Sequence, residues 1–430
     1  MNEQKIYLEK LAKEVLEYIK PHNFIRNNVT YRAGKLTVQG KVFNLKKKNR
    51  IIVVGAGKAT LEMAESMHKL LKNRITTGYI SVPHAPQKNI GPILVRRASH
   101  PLPNQEGVKN AKAILNLVKS ADKDDMVICL MSGGGSALLP YPIPPLTLRQ
   151  KVSITNQLLR CSADIKEINS IRKHLSLVKG GRLAQAAMPA ELIAIYISDV
   201  IGDPLDVIAS GPTVADKSSS TDALAVLQRC GIHSDLAEKI IKQNETPYYL
   251  EPKNVHNFII GSNSQALKYI KRLLNKKGFR PLMLTSRLFG ESREAALVLS
   301  SIAQEVVDSG QPVRAPAALI IGGETTVTVK GKGKGGRNQE FAVACLPHLP
   351  ERCAALLLAT DGVDGITPRP VAAVIIDDTA QKIYKKKRLP LMDYLKNNDS
   401  YHFLKQLGCL REYGETGTNV GDLIVFLIPK

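Results

Sequence analysis

Short, wholly apolar runs that each end in a glycine-, serine- or aspartate-rich cluster constrain this chain most strongly. Residues 51–54 (Ile-Ile-Val-Val) lead into Gly55-Ala56-Gly57-Lys58-Ala59-Thr60. Met126–Met131 leads into Ser132-Gly133-Gly134-Gly135-Ser136-Ala137. Residues 192–197 end in Ser198-Asp199, residues 258–260 run into Gly261-Ser262-Asn263-Ser264, and residues 356–359 into Thr360-Asp361-Gly362. A strand covered on both faces reads as a continuous apolar run rather than an alternation. Helical stretches separate these runs: one through Met63, Met67 and Leu71, then residues 107–119, Leu148–Arg160, 164–187 and 291–307. Strands alternating with helices predict a parallel α/β architecture. Such folds bind ligands in the crevice outside the strand C-termini, which is where the polar clusters fall.

Two further strands are expected at 319–321 and 325–329, joined by Gly322-Gly323-Glu324, and a closing strand at 423–427. An amphipathic helix opens the chain, with Leu8, Leu11, Val15 and Ile19 at helical spacing. The segment 247–255 carries two prolines and little periodicity and reads as a linker between domains at 1–247 and 255–430.

Composition narrows the function. The formal net charge of +22 invites a nucleic-acid reading. Only Lys46-Lys47-Lys48-Asn49-Arg50 and Lys385-Lys386-Lys387-Arg388 form tight basic runs, however, and neither is interleaved with aromatics. A solvated basic surface that steers anionic substrates is the expectation, with no specific nucleic-acid site. Six widely spaced cysteines without a CxxC pair are expected to be reduced thiols. The opening Met1-Asn2-Glu3-Gln4-Lys5 lacks the apolar core of a secretory signal. No apolar stretch approaches the ~18 residues of a membrane span, so a cytoplasmic protein is expected.

Two glycine-rich loops carry the chemistry. Ser132 to Ser136 places three consecutive glycines after a buried strand, an entropic cost that makes sense if backbone must approach a ligand closely. Its N–H groups would cradle a phosphate or carboxylate. A serine nucleophile is disfavoured because GxSxG is absent. Lys330-Gly331-Lys332-Gly333-Lys334-Gly335-Gly336-Arg337-Asn338-Gln339-Glu340 is the second loop, rich in fixed positive charge and opening a helix at Arg337. Gly55 and Gly57 fit only part of a GxGxxG, and GxxxxGK[ST] is absent from the chain, which excludes a P-loop NTPase. Lys58 stands at a helix N-terminus, able to neutralise a transferring phosphate, although an exposed turn lysine is the plainer alternative.

Arg172, Lys179 and Arg182 fall close to one face of the helix expected over 164–187, either as an anion site or as a basic solvated face. His174 reads as structural. Asp199, at a strand end, suits a magnesium ligand or a base. Asp361 is a second such acid.

Taken together, VVGAGKAT, LMSGGGSALLP, INSIRKHLSLVKGGRLA, ISDVIGDPLDVIASGPTVAD, GSN, GGETTVTVKGKGKGGRNQE, ATDGVDG and TGTNVGDL resemble the glycerate 2-kinase family. They span residues 53 to 424. The resemblance implies a Rossmann-like three-layer N-terminal domain and a smaller α/β domain of the type called MOFRL. It implies ATP-dependent phosphorylation of D-glycerate to 2-phosphoglycerate in a cleft between them, with ATP and Mg2+ required. Lys58 and Arg337 match the catalytic pair proposed for the family, and Asp199 joins them as metal ligand or hydroxyl-orienting group, with Asp361 as second metal ligand. Ser132, Gly133, Gly134, Gly135 and Ser136, with Arg172 and Lys179, are then expected to hold substrate or phosphate. Gly55, Gly57, Asn263, Gly335, Gly336 and Asn338 are expected at the nucleotide.

Two stretches depart from the family pattern. His-Pro-x-Pro-Asp reads His100-Pro101-Leu102-Pro103-Asn104, and Ile366-Thr367-Pro368-Arg369-Pro370 replaces the usual Pro-Thr and small residues after Asp364-Gly365. A hydroxypyruvate reductase is the competing enzyme reading, weakened by the missing full GxGxxG and its downstream acid. The expected partners are D-glycerate and ATP, with a homodimer as an assembly to test and no membrane.

Overall fold

The computed structural model describes residues 3–85, 89–251 and 253–430. They form two compact units. One runs Pro21–Ile260; the other joins Gly261–Lys430 to the N-terminal helix α1 (Glu3–Tyr18). The expected linker at 247–255 lies inside the first unit, and Pro252 within it falls outside the described residues.

The first unit is built on six strands: β1 (Ile51–Ala56), β2 (Thr77–Val82), β3 (Ile93–Arg97), β4 (Met126–Met131), β5 (Glu191–Ile197) and β6 (Val255–Gly261). Their order is β3-β2-β1-β4-β5-β6, and β1 to β5 pair in parallel. This is the doubly wound order of dinucleotide-binding folds, so the Rossmann-like expectation holds. Every residue of β1 and β4 is buried, which is why both read as uninterrupted apolar runs. On one face Ile52 and Val54 pack with Ala111, Ile114 and Val118 of the helix Gln105–Lys119. Each such buried side chain stabilises by roughly 1.5–3 kcal/mol. The chain moves outward from β1 to β3 and then returns to β4 on the other side of β1. The crevice of the fold therefore opens at the ends of β1 and β4. A separate three-stranded antiparallel sheet (Val29–Arg32, Lys35–Val38, Lys41–Asn44) precedes β1.

A helical subdomain rises between β4 and β6. The helices α2 (Leu148–Arg160), α3 (Ile165–His174) and α4 (Ser220–Arg229), with Asp235–Gln243, share a core of Leu158, Ile171, Leu175, Leu227 and Ile241. The helix expected over 164–187 is two helices. The chain leaves α3 at Leu175 and turns through Gly181, whose positive φ of 81° a side chain would strain, before Arg182–Ala187 begins. Not all cysteines are free, either. Cys161 and Cys230, the residues that follow α2 and α4, are joined in a disulfide with their Cα atoms 5.5 Å apart. Packing of α4 against α3 brings the two helix ends together, a proximity that spacing along the chain could not show. Cys129, Cys345, Cys353 and Cys409 are buried thiols.

The second unit carries β7 (Arg280–Leu288), β8 (Ala317–Gly323), β9 (Ala354–Ala359), β10 (Ala373–Asp377), β11 (Leu410–Arg411) and β12 (Asp422–Ile428) in the order β7-β8-β12-β9-β10-β11. Here the expectation of a parallel sheet fails: only β7 and β8 pair in parallel among these strands. The expected strand at 325–329 is absent, for Thr326 makes only an isolated bridge to Glu291. The Glu291 carboxylate instead takes up the Thr328 N–H and hydroxyl. Two helices matter below, α5 (Asn263–Lys276) and α6 (Arg337–Cys345).

Candidate active site

The crevice of the first unit is closed by a glycine loop whose parts are already committed to one another. Ser132 is buried, and its Oγ accepts the Ala59 N–H at 3.0 Å and lies 3.3 Å from the Thr60 hydroxyl. It therefore fastens the β4 loop to the start of the helix Thr60–Leu71 and is not placed to meet a ligand. The Lys58 N–H donates to Gly133 O at 2.9 Å, a second tie between the loops. Ser132, Gly135 and Ala137 spend their own N–H groups on Ala56, Ser132 and Gly134 carbonyls. Any anion cradle in this loop must be built from Gly133, Gly134 and Ser136.

Gly133 is required by a neighbour. A Cβ there would sit 2.1 Å from Asp199 Oδ2, so the carboxylate that follows β5 lies directly over the loop. A Cβ on Gly134 would lie 2.8 Å from the His100 ring and 3.4 Å from Lys58 Cγ. Lys58, His100 and Gly134 thus converge, with the Lys58 side chain exposed at the end of β1. Burial, and then the Lys58 cation, push the His100 imidazole below its ordinary range.

Beside this point a cavity of about 350 Å³ is lined by cationic, apolar and a few uncharged polar residues. Its charged lining is Lys151, Arg172, Lys179 and His100, with no carboxylate among the described residues. Lys179 is buried, and its Nζ donates to Ser136 O at 2.9 Å and Ser136 Oγ at 2.7 Å. The Ser136 hydroxyl in turn lies 3.1 Å from that of Ser210. Lys151 is also buried, and its Nζ donates to Arg172 O at 3.1 Å and Leu175 O at 2.9 Å, the last carbonyls of α3. Burial, then the charges of Arg172 and Arg182, push Lys151 down to about 7. Burial, then Lys151 and Arg172, hold Lys179 well below the ordinary lysine range. Burial also lowers Arg172. Such shifts are expected where like charges crowd a dry site, and an anion would relieve all three.

The neighbouring cations show the contrast. Lys173, equally buried, pairs with Asp216 at 3.0 Å and Asp206 at 3.4 Å. His174 is structural as expected, bridging Ser170 O and Glu245 Oε1 at 2.9 Å each. Arg182 does not share a face with Arg172 and Lys179; it donates to Asn244 O and Glu245 O. Sequence does not single out Lys151, and His100 enters there only as the start of the His-Pro-x-Pro segment. Lys151 did leave a signal: with Leu148, Ile154 and Leu158 it forms the buried stripe of α2, a lysine where an apolar residue belongs. Asn104, the departure from His-Pro-x-Pro-Asp, accepts the Gly107 N–H at 3.0 Å and caps the following helix, a task asparagine and aspartate share.

In the second unit the expected backbone cradle is not available. All N–H groups from Lys330 to Gly335 bond to Asn397, Asn398, Asp399 or Ile366. The α6 N-terminus is filled as well. Asp364, buried, accepts the Asn338 N–H at 3.1 Å and the Gln339 N–H at 2.9 Å. Protein acceptors already occupy the Gly335 and Asn338 N–H groups, and a Cβ on Gly336 would sit 2.4 Å from Asp364, so these three residues serve packing and capping. Asn263 is likewise spent, its amide donating to Val420 O and Asp422 O. The Asp361 carboxylate accepts the Val363 N–H at 3.1 Å within its own turn.

What remains in that unit is the Arg337 side chain. It contacts Glu324 at 2.7 Å and Asp422 through Nε and Nη2. Burial works against its charge, but Asp422 and then Glu324 offset this and hold the guanidinium above the usual arginine range.

No group of three or more His, Cys, Asp or Glu side chains with metal-site geometry occurs among the described residues. Magnesium at a phosphoryl-transfer site uses one or two carboxylates with substrate phosphates, and Asp199 over the glycine loop fits that pattern.

Comparison with known proteins shows what the chain is similar to. Residues 7–244 match a family described as a domain of unknown function (DUF4147), and residues 317–422 match the MOFRL family. A D-glycerate 2-kinase of Thermotoga maritima is 41% identical over 88% of this chain and 91% of its own length. A protein of Agrobacterium vitis, named only provisionally as a hydroxypyruvate reductase, is 38% identical over 89% of this chain and 88% of its own. The crystal structure of a glycerate kinase from Thermotoga maritima superposes with a TM-score of 0.90 at 38% identity, covering 99% of both chains.

Proposed function

The chain belongs to the glycerate 2-kinase family, and from that premise we propose that it transfers the γ-phosphoryl group of ATP to the 2-hydroxyl of D-glycerate, giving 2-phosphoglycerate. One observation supports this above the rest: the buried, carboxylate-free cationic wall of Lys151, Arg172 and Lys179 next to Lys58. A small acid needs such a wall, and a phosphoryl group in flight needs the lysine.

In this reading Arg172 and Lys179 hold an anionic group of the acceptor, together with the free donors of Gly133, Gly134 and Ser136. Lys179 also orders the loop by clamping Ser136. Lys58 neutralises charge on the transferring group, where a fixed cation in a dry site acts with little reorganisation. Asp199 orients the acceptor hydroxyl, or would hold Mg2+, which supplies charge neutralisation on the nucleotide phosphates when bound. Arg337 is the second unit's catalytic cation, with Glu324 and Asp422 fixing its orientation. Positioning and charge account for most of the acceleration expected in phosphoryl transfer.

The test is a coupled ADP-release assay over a panel of small hydroxy acids, with phosphorus NMR of the product. D-Glycerate-dependent ADP release with a phosphorus signal of the 2-phosphate supports the reading. No release with D-glycerate, or hydroxypyruvate-dependent NADH oxidation in its place, overturns it.

A further inference from the structure

The cationic wall contains one member that neither the family motifs nor the glycine loops account for. Lys151 lies on α2, outside every segment that carries the family resemblance, yet it lines the cavity with Arg172 and Lys179. Two of its three N–H donors go to Arg172 O and Leu175 O. Those carbonyls close α3 and carry the negative end of its dipole, which favours a cation there. Carbonyls do not neutralise a full charge, and no carboxylate among the described residues pairs with Nζ. The third donor has no protein acceptor among the described contacts.

A lysine kept buried without a counter-ion is costly, and hydrophobic residues of like volume would pack the α2 stripe at lower cost. Leu148 and Val152 on the same helix line the cavity with Leu102 and Pro103, and the uncharged polar residues there are Ser136, Thr155 and Asn156. The charge is therefore retained for something that enters the cavity. Arg172 and Lys179 line the same cavity, so a group bound there would meet three cationic residues.

We infer that Lys151 is a specificity residue that binds the acceptor's carboxylate, so that the pocket selects hydroxy acids over neutral polyols. This rests on the kinase reading above. The Cys161–Cys230 bond follows α2 directly and ties the helix that carries Lys151 to the end of α4, fixing the position of the wall.

The experiment compares the full-length chain with Lys151→Met, which keeps the length and apolar stem and removes the charge, and with Lys151→Gln as a second variant. The ADP-release assay reads KM for D-glycerate, KM for ATP and kcat, and circular dichroism reads folding. Loss of one charge-assisted hydrogen bond in a buried site should raise KM for D-glycerate about 10- to 100-fold, with KM for ATP and kcat within about threefold. The protection that D-glycerate alone gives against thermal unfolding should vanish in both variants. An unchanged KM for D-glycerate in a folded variant overturns the inference. So does an equal rise of both KM values, which is the mark of a merely structural lysine. If neither substitution folds, the lysine is a structural cap of α3 and the inference is wrong. Absence of D-glycerate turnover by the unsubstituted chain would be the separate failure of the kinase reading.

Discussion

Replacing Asp364 with alanine should unfasten the helix that carries Arg337. The Asp364 carboxylate accepts the backbone N–H groups of Asn338 and Gln339 at 3.1 and 2.9 Å, and the Gln339 side-chain amide at 3.0 Å. Asn338 and Gln339 are buried, so alanine would leave their two backbone N–H groups without acceptors and weaken the hold on both side-chain amides, in a place water reaches poorly. A buried donor left unmade costs about 1–3 kcal/mol, and water entering the vacated space offsets part of that. The expected loss is about 3–5 kcal/mol for this unit, against about 1 kcal/mol for an ordinary exposed cap. Asp364→Asn keeps one acceptor oxygen and should lose about half as much. The chain has no Trp, so urea unfolding is best followed by far-UV circular dichroism. Hydrogen exchange of residues 337–345 localises the effect, and these amides should exchange faster in the alanine variant before any change in the first unit's β1 and β4. A destabilisation under about 1 kcal/mol, or exchange at α6 no faster than in the unsubstituted chain, would refute the assignment of Asp364 as a buried cap.

The remaining predictions are briefer. Lys58→Ala and Arg337→Ala should each lower kcat by orders of magnitude while circular dichroism stays unchanged, and near-normal turnover in either removes that residue from the mechanism. Lys151 is pushed down to about 7 and Lys179 well below its usual range, so both favour the neutral form more in the folded chain than in the unfolded one. The folded chain then binds fewer protons above pH 7, and without substrate its stability should rise as pH climbs from 7 toward 10. An anion requires the charged form, so KM for D-glycerate should rise over the same interval. A flat KM from pH 6 to 9 would contradict the pocket's electrostatics. Thiol titration of the denatured, unreduced chain should find four thiols rather than six. Cys161→Ala should cost roughly 2–4 kcal/mol, as expected for a cross-link closing a long loop.

The first sheet was legible because its strands are buried on both faces, and such strands announce themselves as Ile51-Ile52-Val53-Val54 or Met126 to Met131 without any partner being known. The loops at their ends were legible for the same reason. What each loop does was less so. Ser132 looked like a ligand residue and is a fastener, because its hydroxyl meets Ala59 across the sheet, 73 positions away. The second glycine loop looked like a phosphate cradle, yet Asn397 to Asp399 had claimed its donors from 65 positions or more downstream. Hydrogen-bond acceptors so remote in sequence leave no local trace. The strands at 29–44 and 373–377 were overlooked, the former because four-residue strands with exposed alternate positions barely differ from turns. The Thr325 to Val329 segment erred the other way: β-branched alternation favours a strand only where a neighbour exists to pair with it. Lys151 left only a break in the apolar stripe of α2, and what the break is for needed the pocket.

The affiliation of α1 has a consequence for how the chain is made. Leu8, Leu11, Ala12, Val15 and Leu16 of α1 are buried in the unit whose other residues begin at Gly261. On a ribosome adding about 5–20 residues per second, this greasy helix waits some tens of seconds before its docking surface exists, while all of the unit 21–260 emerges and can fold. Until the later residues of its unit are made, the apolar face of α1 lacks the surface on which it packs.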